Sequence, residues 1–145
     1  MIAAVGELTT VYIKRVSKPW GYELVTTPPT LPYTGKLLFI AEGRRLSLQS
    51  HDAKTETLTL VSGLVRLTIE DEMGVIHEVE MEPGVGYTVL PSRRHRLSAA
   101  TESIVMEAST PECGVTRRFE DDYGRPDECE ADRTAAQSTV REGTP

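Results

Sequence analysis

The chain has only two cysteines, Cys113 and Cys129, too few for the disulfide framework of a small secreted domain. Cys129 sits in a polar stretch, and unpaired thiols fit a reducing cytoplasm, which is the expected location. No run approaches the roughly 20 apolar residues that span a bilayer, so no membrane partner is expected. Residues 1–14 lack a charged start followed by an apolar run, so no secretory signal is read there. Bases are in the minority, with 16 Lys and Arg against 22 Asp and Glu, for a net charge of −6. That argues against nucleic acid as a partner, because phosphate neutralisation needs clustered Lys and Arg. With 39% hydrophobic and 26% charged residues over 145 positions, the composition is that of one globular domain.

The composition changes at Pro126. From there to Pro145 the chain has no Leu, Ile, Met or aromatic residue. It carries Asp127, Glu128, Glu130, Asp132 and Glu142 against Arg133 and Arg141, which is half of the net charge. Such a segment buries little apolar area against its ordering entropy. Residues 1–125 are therefore read as the folded domain with its N-terminal arm, and 126–145 as a flexible or loosely docked acidic tail. A short helix around Glu130–Thr139 is conceivable in it.

Within the domain the hydrophobic period is two. In Leu64–Glu70, Val65, Leu67 and Ile69 share one face, while Arg66, Thr68 and Glu70 share the other, as in a half-buried strand. Further strands are expected at Val11–Val16, Tyr22–Thr26, Lys36–Ala41, Leu46–Ser50, Thr57–Val61, Val75–Met81, Tyr87–Leu90, Arg96–Ala99 and Ile104–Ala108. Turn signals such as Pro28-Pro29, Glu42-Gly43, Ser62-Gly63 and Pro83-Gly84 separate them. Many short strands at this spacing indicate an all-β barrel or double-sheet sandwich.

Two of the three histidines stand in informative company. On the strand ending at His51, Gln49 and His51 are two apart, so both leave the same face. A turn through Asp52–Thr55 would return Glu56 beside them, and the turn Pro91–Arg94 delivers His95. Gln49, His51, Glu56 and His95 form a mixed N/O set suited to a divalent metal with positions left open for water or substrate. His77 and the acidic run Glu120-Asp121-Asp122 are read as structural. Cationic residues (Lys36, Arg44, Arg45, Lys54, Arg93, Arg94 and Arg96) crowd the neighbourhood of the ligand segments. They fit an anionic substrate, or else pair with the chain's many acids. Lys36 begins an otherwise apolar strand, so it must snorkel outward or face a polar cavity. In a cavity it would be an acid or base with a lowered pKa. Trp20 is read as a core or subunit anchor, and Tyr22, Tyr87 and Glu107 as packing or hydrogen-bonding residues near the pocket.

The sequence resembles the cupin superfamily of small β-barrels, and more closely the C-terminal domain of type II mannose-6-phosphate isomerases. Four blocks carry the resemblance, over about residues 14–125: Lys18–Glu23; Leu46–His51 with Lys54, Glu56 and Val61-Ser62-Gly63; Glu82-Pro83-Gly84 with Pro91 and His95-Arg96-Leu97; and Arg118–Arg125. The resemblance implies a single-domain jelly-roll (a double-stranded β-helix) and a metal held by Gln49, His51, Glu56 and His95. The metal would be zinc first, with iron, manganese, nickel or cobalt as alternatives. It implies an aldose–ketose isomerase of sugar phosphates working as a homodimer, with Arg96, which matches the family, near the phosphate; Lys36, from its place on the apolar strand, is the candidate base. Arg96 follows His95 directly, so strand alternation points it away, toward an acid such as Glu120. The chain departs from the family pattern at Asp52-Ala53, where histidines are common, and at Ser92, where glycine is usual. A different metal cupin enzyme (dioxygenase, epimerase or lyase) and a non-catalytic small-molecule binder are the alternatives.

Overall fold

The computed structural model describes residues 8–135. Residues 1–7 of the N-terminal arm and 136–145 of the tail lie outside the described residues. The strands are β1 (Lys14–Lys18), β2 (Gly21–Val25), β3 (Thr34–Ile40), β4 (Leu48–His51), β5 (Glu56–Ser62) and β6 (Val65–Glu70). They continue with β7 (Ile76–Glu80), β8 (Gly86–Val89), β9 (His95–Ala99), β10 (Ser103–Ser109) and β11 (Thr116–Glu120), and one short helix follows, α1 (Glu130–Ala135). They form two antiparallel sheets, ordered β1-β2-β3-β10-β5-β8 and β11-β4-β9-β6-β7. This is the all-β jelly-roll expected from the period-two pattern.

Alternation along each strand divides the interior into a dry end and a polar end. Leu38 and Ile40 of β3, Leu58 and Leu60 of β5, Val65 and Leu67 of β6, Leu97 of β9 and Val105 of β10 are buried in one cluster with Trp20. The same inward rows continue as charged residues: Lys36 on β3, Glu56 on β5 and Glu107 on β10 are all buried. Register brings them together, since Lys36 lies opposite Glu107 and Ser109 opposite Glu56. The apolar rows hold the sheets together, and the polar continuation builds the site.

Trp20-Gly21 sets β2 close against β3. A Cβ on Gly21 would lie 1.9 Å from the Phe39 carbonyl oxygen, so only glycine admits this approach of β2 to β3. At the polar end, Ser92 has φ of 65°, a left-handed conformation that costs an L-residue roughly 1–2 kcal/mol. That conformation explains why glycine suits this turn. Ser92 N–H donates to the His51 carbonyl at 2.7 Å, tying the turn before β9 to the end of β4.

Two features differ from the sequence expectation. β11 is an additional strand, paired with β4. Its inward residues, Thr116 and Arg118, are polar, so its alternation carries no hydrophobic signal. The beginning of the tail is also docked. Thr116 and Glu128 exchange two backbone hydrogen bonds of 2.9 Å, Asp127 accepts from Arg118 N–H at 2.8 Å, and Arg133 donates to the Gly114 carbonyl at 2.9 Å. Backbone pairing and charge, which apolar content does not report, hold residues 126–133. Truncation after Arg125 is therefore expected to lower the melting temperature by about 5 °C or more, given about 1 kcal/mol per lost hydrogen bond. Differential scanning calorimetry checks this; an unchanged transition would mean that the segment adds nothing to the fold.

Candidate metal centre

Three strand ends converge at the polar end of the barrel. β4 ends on His51, β5 begins with Glu56 in the opposite sheet, and β9 begins with His95. Gln49 of β4 lies directly across from His95 of β9. His51, Glu56 and His95 are all buried, and one ligand atom from each falls within 4.8 Å of the others. The spacing of Gln49, His51, Glu56 and His95 thus brings the three ionisable members together, with Gln49 lining the same cavities. The Gln49 Oε1 accepts from the Ser47 hydroxyl at 2.7 Å, which fixes its amide.

The hydrogen bonds on the far side of each ring set up the near side. His95 Nδ1 lies 3.0 Å from the Arg93 carbonyl, which can only accept, so Nδ1 carries the proton. His51 Nδ1 is held at 2.9 Å by the Thr116 hydroxyl. Outer partners of this kind orient metal-binding imidazoles. The two Nε2 atoms are buried and make no hydrogen bond. His95 Nε2 nevertheless lies 2.7 Å from Glu56 Oε1, and His51 Nε2 lies 3.8 Å from the same oxygen. A proton shared between His95 and Glu56, or a cation between all three groups, satisfies this arrangement. The residues fit a divalent cation bound by two imidazoles and a carboxylate.

Charged groups of both signs surround the centre. Lys54 is buried with its ammonium 3.1 Å from Glu56, 3.2 Å from Glu107 and 2.7 Å from Glu112. Lys36 lies 2.9 Å from Glu112 and 3.6 Å from Glu23, and Arg133 approaches Glu112 from outside at 3.7 Å. In this network Glu23, Glu56, Glu107 and Glu112 share Lys36, Lys54 and Arg133, while Lys18, Arg118 and Arg125 line the cavity at His51. Burial would raise the Glu56 carboxyl, but Lys54 and the two imidazoles outweigh it and hold it well below the usual range. Burial pushes Glu107 up, against the pull of Lys54 and Lys36. Burial, then Lys54, push the His51 imidazole down to about 3.

This last shift sets an expected pH dependence for the metal-free protein. Below pH 6.5 the unfolded chain protonates His51 while the folded chain does not, so stability falls as pH falls from about 6.5 towards 3. The slope due to this one group approaches about 1.4 kcal/mol per pH unit. The depressed Glu56 adds loss in the same direction at the acid end. Urea denaturation at pH 7 and pH 5 checks this, and equal or greater stability at pH 5 would contradict it.

The other candidates are placed differently from the sequence expectation. Lys36 does face the polar cavity, but three carboxylates (Glu23, Glu107 and Glu112) overcome its burial and raise its pKa well above the usual value. The carboxylates favour its charged form, whereas the sequence expectation was a lowered pKa. Arg96 is buried, with Nε donating to the Leu46 carbonyl at 2.9 Å and the two terminal nitrogens to the Glu120 carboxylate and carbonyl at 3.1 Å. Its charge is paired there with Glu120, the acid that strand alternation pointed to. Arg45 pairs with Asp122 and Arg94 with Glu70, while Arg93 donates to the Asp71 carbonyl. His77 pairs with Asp71 on the surface.

Two spaces lie at the centre. A cavity of about 60 Å³ is bounded by Gln49, His51, Lys54, Thr116 and Arg118, and one of about 20 Å³ by Gln49, Glu56, His95 and Glu107. An open groove of about 640 Å³, lined in part by Lys14, Lys18, Lys36 and Arg133, abuts the first: Lys18, Glu23, Glu112 and Glu128 line both. Sequence alone places Lys18 and Arg118 only within motif blocks, and it reads Glu107 as packing. The one local signal for Glu107 is a carboxylate at an inward position of β10.

No family profile and no curated sequence matches the chain. Its fold is similar to several solved structures. A mutant of Bacillus subtilis oxalate decarboxylase OxdC superposes with a TM-score of 0.59 at 18% identity, covering 69% of this chain and 27% of that one. KdgF from Halomonas sp. gives 0.56 at 15% identity, covering 68% and 87%. The capsular polysaccharide assembling protein CapF from Staphylococcus aureus gives 0.59 at 13% identity, covering 81% and 31%. The matches thus span about a quarter of the OxdC chain and about a third of the CapF chain. These structures are cupins, and at such identities the likeness carries the fold alone: this chain has the cupin fold. Within that fold the buried His–Glu–His cluster is a candidate metal centre. Among the described residues no helix is long and apolar enough to cross a membrane.

Proposed function

We propose that the protein is a metal-dependent cupin enzyme acting on a small anionic substrate, and that its reaction is the aldose–ketose isomerisation of a sugar phosphate. The observation that carries the metal reading is the pair of buried, unpartnered Nε2 atoms facing Glu56. The isomerase reading is supported by the four sequence blocks that resemble mannose-6-phosphate isomerases. It is supported too by a groove of a size to hold a hexose phosphate, with Lys14 and Lys18 on its wall. A divalent ion held by His51, Glu56 and His95, with Gln49 beside them, supplies Lewis-acid stabilisation of developing oxygen anions. Zinc suits this mixed N/O set, as do iron, manganese, nickel and cobalt.

The remaining work falls to the chain's own residues. Glu107 moves the proton between adjacent carbons in place of Lys36. It lines both inner cavities, and burial raises its pKa, which makes its carboxylate a stronger base for taking the proton from one carbon and returning it to the next. The Ser109 hydroxyl donates to its Oε2 at 3.0 Å and orients it. Lys54 anchors Glu56 and Glu107 at fixed spacing. The two free cysteines fit a cytoplasmic location. The exposed outer strands, such as β7, would be covered in a homodimer.

A second reading has its own support. The inner cavities, about 60 and 20 Å³, are of a size for a carboxylate rather than a sugar ring. A metal cupin acting on a small carboxylate fits them. The deciding experiment is turnover of mannose 6-phosphate to fructose 6-phosphate by metal-loaded protein, followed by NMR in D2O to detect solvent exchange at C2. Turnover with exchange is expected, and Glu107→Gln is expected to lower kcat by roughly 10²–10⁴-fold with metal content unchanged. Full metal content without turnover would reject the isomerase and favour the second reading.

A further inference from the structure

Arg118 of β11 is nine-tenths buried, and its Nε is buried without a hydrogen-bond partner. Its terminal nitrogens are engaged: Nη1 donates to the Pro126 carbonyl and Nη2 to Glu128 at 3.0 Å. A buried charged donor left unpaired costs at least about 1–3 kcal/mol, so it marks the place of an acceptor. Arg118 lines the cavity of about 60 Å³ that also touches Gln49 and His51. Lys18, at the end of β1, lines the same cavity and makes no ion pair among the described residues. Lys54 and Arg125 share the wall with Glu23, Glu107, Glu112 and Glu128. Lys54 is surrounded by three carboxylates, Arg125 pairs with Asp121, and Glu128 pairs with Arg118 and Arg133. That leaves Lys18 and the Arg118 Nε as the cationic groups without a close acceptor. The volume is the liquid share of about two waters. That is room for a carboxylate or phosphoryl group and not for a ring.

We infer that this cavity is an oxyanion site, in which the Arg118 Nε–H and the Lys18 ammonium receive an oxygen-centred anion of carboxylate or phosphoryl size beside the metal ligands. It deepens the functional reading above, and rests on that reading only in taking the anion to be part of a substrate. Arg118 and Lys18 then act as specificity residues. They select a substrate that carries such a group within reach of the metal centre.

Trp20 is the only tryptophan and lines the same cavity, so its fluorescence reports occupancy. The full chain is titrated with inorganic phosphate and, separately, with acetate, both metal-free and zinc-loaded. A saturable fluorescence change is expected with at least one anion. Tighter phosphate assigns a phosphoryl group, and tighter acetate a carboxylate. Arg118→Lys, which keeps the charge and removes the Nε donor, is expected to weaken the preferred anion by about tenfold or more, and Lys18→Met likewise. Circular dichroism confirms folding. Lys18→Met loses no ion pair among the described residues, so it carries the test if Arg118→Lys fails to fold. Absence of saturable binding, or unchanged affinity in the folded variants, overturns the inference even where metal content is full. Arg118-dependent anion binding in protein that takes up no metal upholds it while the metal reading fails.

Discussion

His51→Ala and His95→Ala each abolish tight metal binding and leave the barrel folded. The two rings supply the only buried, unpartnered imidazole nitrogens of the site, and both face the same Glu56 oxygen. Loss of one removes a ligand outright, so the expected loss of affinity exceeds the roughly 10–100-fold that outer-shell changes cost. Folding survives because neither ring belongs to the apolar cluster around Leu38, Leu58, Leu97 and Val105. Elemental mass spectrometry after dialysis, with circular dichroism on the same samples, measures both halves. Full metal content in either folded variant would show that the ring it lacks is not a ligand.

Lys54→Met destabilises the protein by about 3–5 kcal/mol, the cost of stripping a buried ion pair of one partner. Lys54 is the only side chain in direct contact with all three of Glu56, Glu107 and Glu112 among the described residues. Methionine fills much of the same space, so the loss is electrostatic rather than a cavity effect. The pH dependence identifies the cause. Without the ammonium, folded-state pKa values of the three carboxylates rise, and stability is lost as pH rises through them. The deficit is therefore smaller at pH 5 than at pH 8. Urea denaturation at both values checks it. A deficit under about 1 kcal/mol, or one that does not depend on pH, would mean that Lys54 is not the counter-ion of the cluster.

The fold was legible because the inward rows alternate cleanly. Val65, Leu67 and Ile69 of β6 needed no tertiary information. The convergence of His51, Glu56 and His95 was legible because parity puts Gln49 and His51 on one face and the turn after His51 returns Glu56 beside them. Sequence pattern failed where polar residues face inward. Thr116 and Arg118 on β11 gave no strand signal, since alternation counts only apolar residues. Glu107 read as packing for the same reason. Lys36 was rightly suspected of facing a cavity, but its ionisation depended on Glu23 and Glu112, remote in sequence. Arg96 followed the parity rule and tied to Glu120. The docked tail depended on backbone pairing of Glu128 with Thr116, which no composition reports.

The metal content of the full chain, loaded with zinc, dialysed and analysed by elemental mass spectrometry, tests the central claim most directly. One equivalent per chain is expected. Absence of retained metal, after loading with zinc and then with iron, manganese, nickel and cobalt, would contradict a metal centre at His51, Glu56 and His95.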